Sequence, residues 1–165
     1  MTLNPYIFSS NGNFLITFLA SFLVWFMFAF IFALLLFHNK FTASSVFYMI
    51  TVSFIAWFIS DIFKIVFHTV RPYTVEQLSP LTVTIPKDFA FPSTHSALAF
   101  SLSSGVMSRS YKLGVFYFIS SILVGYGRMA SHVHYFIDIA GGASIGIFTF
   151  YFMSKTKFAK RFLKN

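Results

Sequence analysis

Three clusters of polar residues stand out in a chain that otherwise carries few charges. A phosphate ester resists attack because of its own negative charge, so a catalyst needs fixed cations, N–H donors, a nucleophile and an acid for the leaving group. The clusters together contain all of these groups, which indicates phosphoryl transfer. They are Lys64 with Arg71 and Pro72, then Pro92-Ser93-Thr94-His95, then Arg128 with His134 and Asp138.

In the first cluster, Lys64 and Arg71 are separated by about two helical turns and could grip one phosphate from one face of a helix. Pro72 should end that helix just after Arg71, because the residue before a proline is pushed out of the helical region. Asp61, one turn before Lys64, is expected to steady the lysine rather than to perform chemistry. The alternative is an ordinary positive cap at the end of a membrane span.

In the second cluster, Pro92 is favoured at the first position of a helix, where its missing N–H costs nothing. The amides of Ser93 and Thr94, with the helix dipole behind them and the Ser93 hydroxyl beside them, would form an anion cradle. His95 would face the same space. The alternative is a simple helix cap followed by a polar residue at the membrane interface.

In the third cluster, His134 and Asp138 are i and i+4, so the carboxylate can accept from one ring nitrogen and leave the other free. This pair is the orienting half of a catalytic triad. Arg128 is close enough along the chain to reach the same phosphate with its bidentate fork. His68 and His132 match no such role and are assigned to packing or to the interface.

The composition indicates an integral membrane protein: 57% of the residues are hydrophobic, 10% are charged, and 26 of the 165 are Phe. Phe14–Phe37 and the stretch between Lys40 and Asp61 lack charges and are each long enough to cross a hydrocarbon core of roughly 30 Å. Three shorter spans, which should extend past their flanking charges, are expected at about Phe91–Ser108, Leu113–Tyr126 and Ile139–Met153.

The predicted fold class is therefore all-α: a polytopic transmembrane helical bundle of about five spans, in one domain over residues 1–165 with a catalytic core at 61–142. Met1–Asn13 is too short and polar to cross, so we expect an interfacial lead there, with a sixth helix as the alternative. No basic region precedes the first apolar stretch, which disfavours a cleavable signal peptide. The long polar connection from Arg71 to Ala90 is expected to form a lid or lip, or else a solvated connector.

The basic residues predict the orientation, because short cytoplasmic loops are rich in Lys and Arg. With the C-terminus in the cytoplasm, the site would open at the outer, periplasmic side of a bacterial inner membrane. The excess of basic over acidic residues then reflects this topology and attraction to anionic lipid, and no nucleic-acid partner is expected. The basic residues placed inside are Lys40, Arg109, Lys112, Lys155, Lys157, Lys160, Arg161 and Lys164.

The chain has no cysteine, which excludes disulfides, thiolate catalysis and Cys-ligated metals. We expect no cofactor and no metal. A metal site built from His95, His132 and His134 is the alternative, and retention of activity in EDTA would exclude it.

The three clusters together resemble the pattern of the type 2 phosphatidic acid phosphatase family, a family of membrane lipid phosphatases: K-x6-RP, then PSGH, then SR-x5-H-x3-D. The match covers Lys64 to Asp138. Two positions depart from the pattern, with Thr94 in place of glycine and Gly127 in place of serine.

The resemblance implies a helical bundle with a metal-free site at its outer end. It also implies that His134 attacks phosphorus, that Asp138 orients His134, and that His95 protonates the leaving oxygen. A phosphohistidine would form and be cleaved by water. The groups implied to hold the phosphoryl oxygens are Lys64, Arg71, Ser93, the Thr94 amide and Arg128.

The expected substrate is a membrane-anchored lipid phosphate or diphosphate of the cell envelope. Undecaprenyl diphosphate and a lipid A phosphate are the leading candidates, and phosphatidylglycerol phosphate and phosphatidic acid are the other two. A phosphotransferase that passes the phosphoryl group to a second lipid is the main alternative. A non-catalytic transporter is less favoured, because it has no need for the Ser-x-His helix start and the His-Asp pair.

Overall fold

The computed structural model describes residues 2–3 and 14–163, without the side chains of residues 2, 3, 158 and 161, and confirms the all-α prediction. Most of the expected interfacial lead therefore lies outside the described residues. A short antiparallel pairing joins β1 (Thr2–Leu3) to β2 (Thr84–Ile85). The helices are α1 (Phe14–Ser21), α2 (Leu23–Phe37), α3 (Ala43–Phe67), α4 (Pro72–Val75), α5 (Thr94–Arg109), α6 (Tyr111–Ala130), α7 (Phe136–Ser154) and α8 (Lys157–Leu163).

The surface and the interior are arranged as a lipid environment requires. Large apolar side chains such as Phe32, Phe58 and Phe148 point outward and are more than half exposed. Small hydroxyl side chains such as Ser53 and Ser101 are fully buried between helices. In a bilayer, lipid covers the outer apolar faces, and small residues let the helices approach closely. The chain is thus an integral membrane protein.

Each of the five predicted spans contains helix, but the described residues give fewer full spans. Three segments are long and apolar enough to cross: Ala43–Val75, α6 and α7. The pair α1 and α2, bent by 59° at their junction, makes a fourth if it counts as one span. With 16 residues, α5 is about 24 Å long at ~1.5 Å per residue, which is short of the ~30 Å hydrocarbon core.

The short helix α5 lies at the centre of the bundle, packed against α3, α6 and α7. Two glycines of α7 allow the closest of these contacts. A Cβ added at Gly142 would lie 2.2 Å from the Ser93 carbonyl oxygen, and one at Gly146 would lie 2.4 Å from that of Ala97. The Gly-x3-Gly spacing therefore lets the backbones of α5 and α7 touch. The start of α5 is held beside the start of α7 by this contact.

The end of α3 differs from the sequence prediction. The helix stops at Phe67 because His68 adopts a left-handed conformation with φ of 47°, a common way to end a helix. Arg71 is then an extended residue that precedes Pro72, the first residue of α4. The expectation that Lys64 and Arg71 share a face of one helix is wrong: Lys64 lies in the last turn of α3, and Arg71 lies beyond it.

Candidate active site

A cavity of about 510 Å³ opens at the end of the bundle where α5 begins. Its lining contains both polar groups and aromatic rings. The polar lining includes Asp61, Lys64, Arg71, Asp88, Thr94, His95 and Arg128. The aromatic lining is Phe22, Trp25, Phe54 and Trp57. All four rings are more than one-third exposed, so this aromatic part of the lining, here called the aromatic wall, also faces the surroundings of the bundle.

Arg71 connects the long loop to the turn before α7. Its Nε donates to the Asp88 carbonyl at 2.8 Å, and its NH2 donates to the Phe89 carbonyl at 3.1 Å and to the Asp88 carboxylate at 2.8 Å. Its NH1 donates to the Val133 carbonyl at 2.8 Å and lies 3.3 Å from Nε2 of His134. The Arg71 side chain is 3% exposed. Two clusters that are remote in sequence therefore meet at one cation.

His134 and Asp138 are in contact, although the histidine precedes α7 and does not share a helical face with the carboxylate. Nδ1 of His134 lies 3.4 Å from Oδ2 of Asp138, and the same oxygen accepts from the Tyr135 amide at 2.8 Å. The second bond caps the start of α7 and fixes the carboxylate. Burial, with the positive charges of Arg128 and Arg71, holds the pKa of His134 well below its ordinary value. The imidazole is therefore neutral, with Nε2 directed at Arg71.

The start of α5 supplies part of the expected cradle. Thr94 and His95 line the cavity. Ser93 is fully buried, its hydroxyl caps the helix by accepting from the Ser96 amide at 3.4 Å, and its own amide donates to the Asp138 carbonyl at 2.9 Å. The expectation of an anion cradle from two amides thus needs correction, because the Ser93 amide is already used to join α5 to α7.

Arg128 reaches the cavity from α6 and is held by α1. Its NH1 donates to the Ala20 carbonyl at 3.1 Å, while its buried Nε has no hydrogen-bond partner among the described residues. The close approach of α1 depends on Gly127, where a Cβ would lie 2.7 Å from the backbone of Leu19 and Ala20. Gly127, which stands where the family pattern has serine, therefore leaves room for the C-terminal end of α1.

Asp88 is the acidic residue of the site that the sequence analysis missed. Its carboxylate pairs with both Lys64 and Arg71. Burial alone would raise the pKa of Asp88, but the adjacent charges of Lys64 and Arg71 outweigh it and lower that pKa. Asp61, expected to steady Lys64, lines the same cavity, but the lysine forms its ion pair with Asp88 instead. The available signal was the position of Asp88 in the long loop that joins two clusters.

Of the histidines at this end, His95 lines the cavity, whereas His134 is buried behind Arg71, which it contacts. His68 and His132 do not line the cavity either. His132 has φ of 60° and pairs with Glu76 at 3.3 Å. His68 packs edge-on against Phe89, with 4.5 Å between ring centroids. These contacts agree with the packing roles expected for them. No group of three or more His, Asp or Glu in the described ranges 2–3 and 14–163 is arranged to hold a metal ion, so the alternative site of three histidines gains no support.

The fold and the site together define a helical membrane protein with a cavity lined by a cluster of cations and by partly exposed aromatic rings. A family model described as the PAP2 superfamily matches residues 41–162. The chain belongs to the PAP2 superfamily, a family of membrane lipid phosphatases.

Individual proteins are similar to this chain in sequence or in fold. The chain is 34% identical over 80 residues to the bacitracin transport permease protein BcrC of Bacillus licheniformis, an alignment that covers 46% of this chain and 39% of that protein. The fold is similar to Aquifex aeolicus LpxE, with a TM-score of 0.66, 23% identity and 91% coverage of both chains. It is also similar to a PAP2-type phosphatidylglycerolphosphate phosphatase from Bacillus subtilis, with a TM-score of 0.61, 22% identity, and 85% and 71% coverage of this chain and that one.

Proposed function

We propose that this protein hydrolyses the phosphate or diphosphate headgroup of a cell-envelope lipid through a phosphohistidine on His134. The observation that carries the proposal is the arrangement around that imidazole: Nδ1 faces Asp138 at 3.4 Å, and Nε2 lies 3.3 Å from the Arg71 guanidinium. Because neutral imidazole keeps a lone pair on the nitrogen that carries no proton, a proton on Nδ1 leaves Nε2 free to attack phosphorus.

In the proposed reaction, Nε2 of His134 forms a bond to phosphorus as the bond to the lipid oxygen breaks. His95 donates a proton to that oxygen, so the lipid leaves as a neutral alcohol, or as a lipid monophosphate from a diphosphate. Water then attacks the phosphohistidine, gives a proton back to His95 and releases inorganic phosphate. Lys64, Arg71 and Arg128 balance the charge that builds up on the phosphoryl oxygens.

The aromatic wall supports a lipid rather than a soluble substrate. Trp25 and Trp57 are 49% and 39% exposed and line the same cavity as the cations. Tryptophan is favoured at membrane interfaces, where its ring can meet both chains and headgroups. A headgroup could therefore reach the cations while its chain stays beside these rings. Undecaprenyl diphosphate, lipid A phosphate, phosphatidylglycerol phosphate and phosphatidic acid are the candidate substrates.

The test is phosphate release from a panel of these four lipids in mixed micelles, without added metal and with EDTA. We expect release from at least one lipid at an undiminished rate in EDTA. Formation of a new phosphorylated lipid in place of free phosphate would instead support the phosphotransferase. Micelles enclose no compartments, so turnover in them also separates an enzyme from a transporter. Absence of turnover on every lipid would refute the proposal.

We further propose that the site faces the periplasm of a bacterial inner membrane and that the C-terminus is cytoplasmic. The basic end of α5 supports this, because NH1 of Arg109 donates to the Leu163 carbonyl of α8 at 3.1 Å, at the end of α5 opposite to His95. The chain has no native cysteine, so single cysteines at the exposed Lys87 and Lys157 report each side. A membrane-impermeant thiol reagent should label the first in intact cells and not the second.

A further inference from the structure

The carboxylate of Asp88 occupies the position at which a phosphoryl group would be expected. Oδ1 accepts from NH2 of Arg71 at 2.8 Å, and Oδ2 pairs with the Lys64 ammonium. Both cations lie in the pocket that the proposed function assigns to the headgroup. An anion supplied by the protein itself thus bridges two of the groups that should hold the substrate.

The hydrogen bonds of Arg71 show why this matters. A guanidinium has five N–H donors, and the structure gives each of them a partner. Three bind the main-chain carbonyls of Asp88, Phe89 and Val133, one faces His134, and one binds the Asp88 carboxylate. The carbonyl contacts hold the loop and the turn in place. A phosphoryl oxygen can therefore bind this guanidinium only if the Asp88 carboxylate or the His134 imidazole gives up its contact.

The Asp88 carboxylate is the partner that can leave the guanidinium. The side chain of Asp88 is 48% exposed, whereas those of Lys64 and Arg71 are 5% and 3% exposed. A half-exposed side chain on a loop can turn into water, which solvates its charge, but two buried cations cannot follow it. Binding of a headgroup is then an exchange of one anion for another at two fixed cations.

We propose that Asp88 is a built-in competitor of the headgroup, which keeps weakly charged headgroups out of the pocket. The inference rests on the proposed function, since it assigns the headgroup to the same pocket. A phosphodiester carries one negative charge, so replacing the carboxylate with it leaves the negative charge beside the two cations unchanged. A phosphomonoester or a diphosphate carries two or more negative charges, so the same replacement adds at least one negative charge beside the cations. Asp88 thereby excludes the phosphodiester headgroups of the surrounding bilayer from a site that must admit the lipid phosphate.

The chain has a built-in probe of this exchange, because both of its tryptophans, Trp25 and Trp57, line the cavity. Tryptophan fluorescence of the purified protein in detergent can follow binding of inorganic phosphate and of dimethyl phosphate at pH 8. Phosphate is then mainly a dianion, and dimethyl phosphate is a phosphodiester monoanion. Binding requires no turnover, so failure of the catalytic proposal and failure of this inference are distinguishable.

In the unmodified protein we expect phosphate to bind at least tenfold more tightly than dimethyl phosphate. Asp88→Asn keeps the shape and removes the competing charge, so it should tighten the binding of both anions at least tenfold and by about the same factor. Asp88→Glu should restore the weaker binding of both anions. Asp61→Asn is the matched control, because it removes one negative charge from the same cavity but not from the ion pair, and should change either affinity less than about threefold.

Equal binding of the two anions to the unmodified protein would overturn the inference without need of any variant. Weaker phosphate binding in Asp88→Asn would also overturn it, because the residue would then only position Lys64 and Arg71. The same holds if Asp88→Asn leaves both affinities unchanged, or if Asp61→Asn tightens them as much as Asp88→Asn does.

Discussion

Replacement of Arg71 by lysine tests whether the guanidinium is needed as a planar fork or only as a charge. The side chain is 3% exposed and makes five contacts, with donor–acceptor distances from 2.8 to 3.3 Å. An ammonium has three donors on one nitrogen, so Arg71→Lys loses at least two of these contacts. The loop at Asp88 and the turn at Val133 would no longer be held by one group.

The size of the effect follows from the contacts that face the substrate. A hydrogen bond to a charged group is worth about 1.5–3 kcal/mol, and each 1.36 kcal/mol of transition-state stabilisation is a factor of ten in rate. Loss of one such contact to the phosphoryl group should therefore lower kcat/KM roughly 10- to 150-fold. The buried carbonyls left without a donor should also cost about 1–3 kcal/mol of stability each.

The assay is phosphate release at several lipid concentrations, with thermal unfolding in detergent measured in parallel. Arg109→Lys makes the same chemical change at the opposite end of α5, where NH1 binds the Leu163 carbonyl at 3.1 Å, and should retain near-normal kcat/KM. Turnover of Arg71→Lys within about threefold of the unmodified protein would refute the reasoning, because less than one charged hydrogen bond would then have been lost.

Further outcomes follow from the same geometry. His134→Ala and His95→Ala should each abolish phosphate release while circular dichroism shows an unchanged helix content, and residual release at the normal rate would contradict either role. The pKa of His134 is lowered, so its imidazole loses its second proton at a lower pH than an ordinary histidine. The midpoint of the acid limb in the pH profile of kcat/KM should therefore lie below about pH 6.5. A midpoint above neutrality would count against a neutral imidazole. Gly142→Ala places a Cβ 2.2 Å from the Ser93 carbonyl and should cost about 1–3 kcal/mol of stability, measured by detergent unfolding. His132→Ala should change turnover less than twofold, since its ring pairs with Glu76 outside the cavity.

The sequence could predict the membrane class, because hydrophobic length is a local property of the chain, and the resemblance of the ordered motifs to a known family predicted that the three clusters converge. It could not predict that Arg71 leaves α3, because the left-handed turn at His68 carries no glycine or proline signal. The role of Asp88 was also hidden, since an acid in a long loop finds its partners only through the tertiary fold. The contact of α1 with Arg128 depends on Gly127, whose small size acquires meaning only once the neighbouring helix is known.

The shortness of α5 sets the depth at which the chemistry takes place. If Arg109 lies level with the inner edge of the hydrocarbon layer, a helix of 16 residues rises about 24 Å and ends roughly 6 Å beneath the outer edge of a ~30 Å layer. His95 and its neighbours then sit in a recess of the bilayer, beneath the level of ordinary headgroups. A lipid would have to sink its phosphate to react, while the freed inorganic phosphate would escape upward into water and the alcohol would stay behind among the chains. Such a recess would separate the two products by their solubility alone.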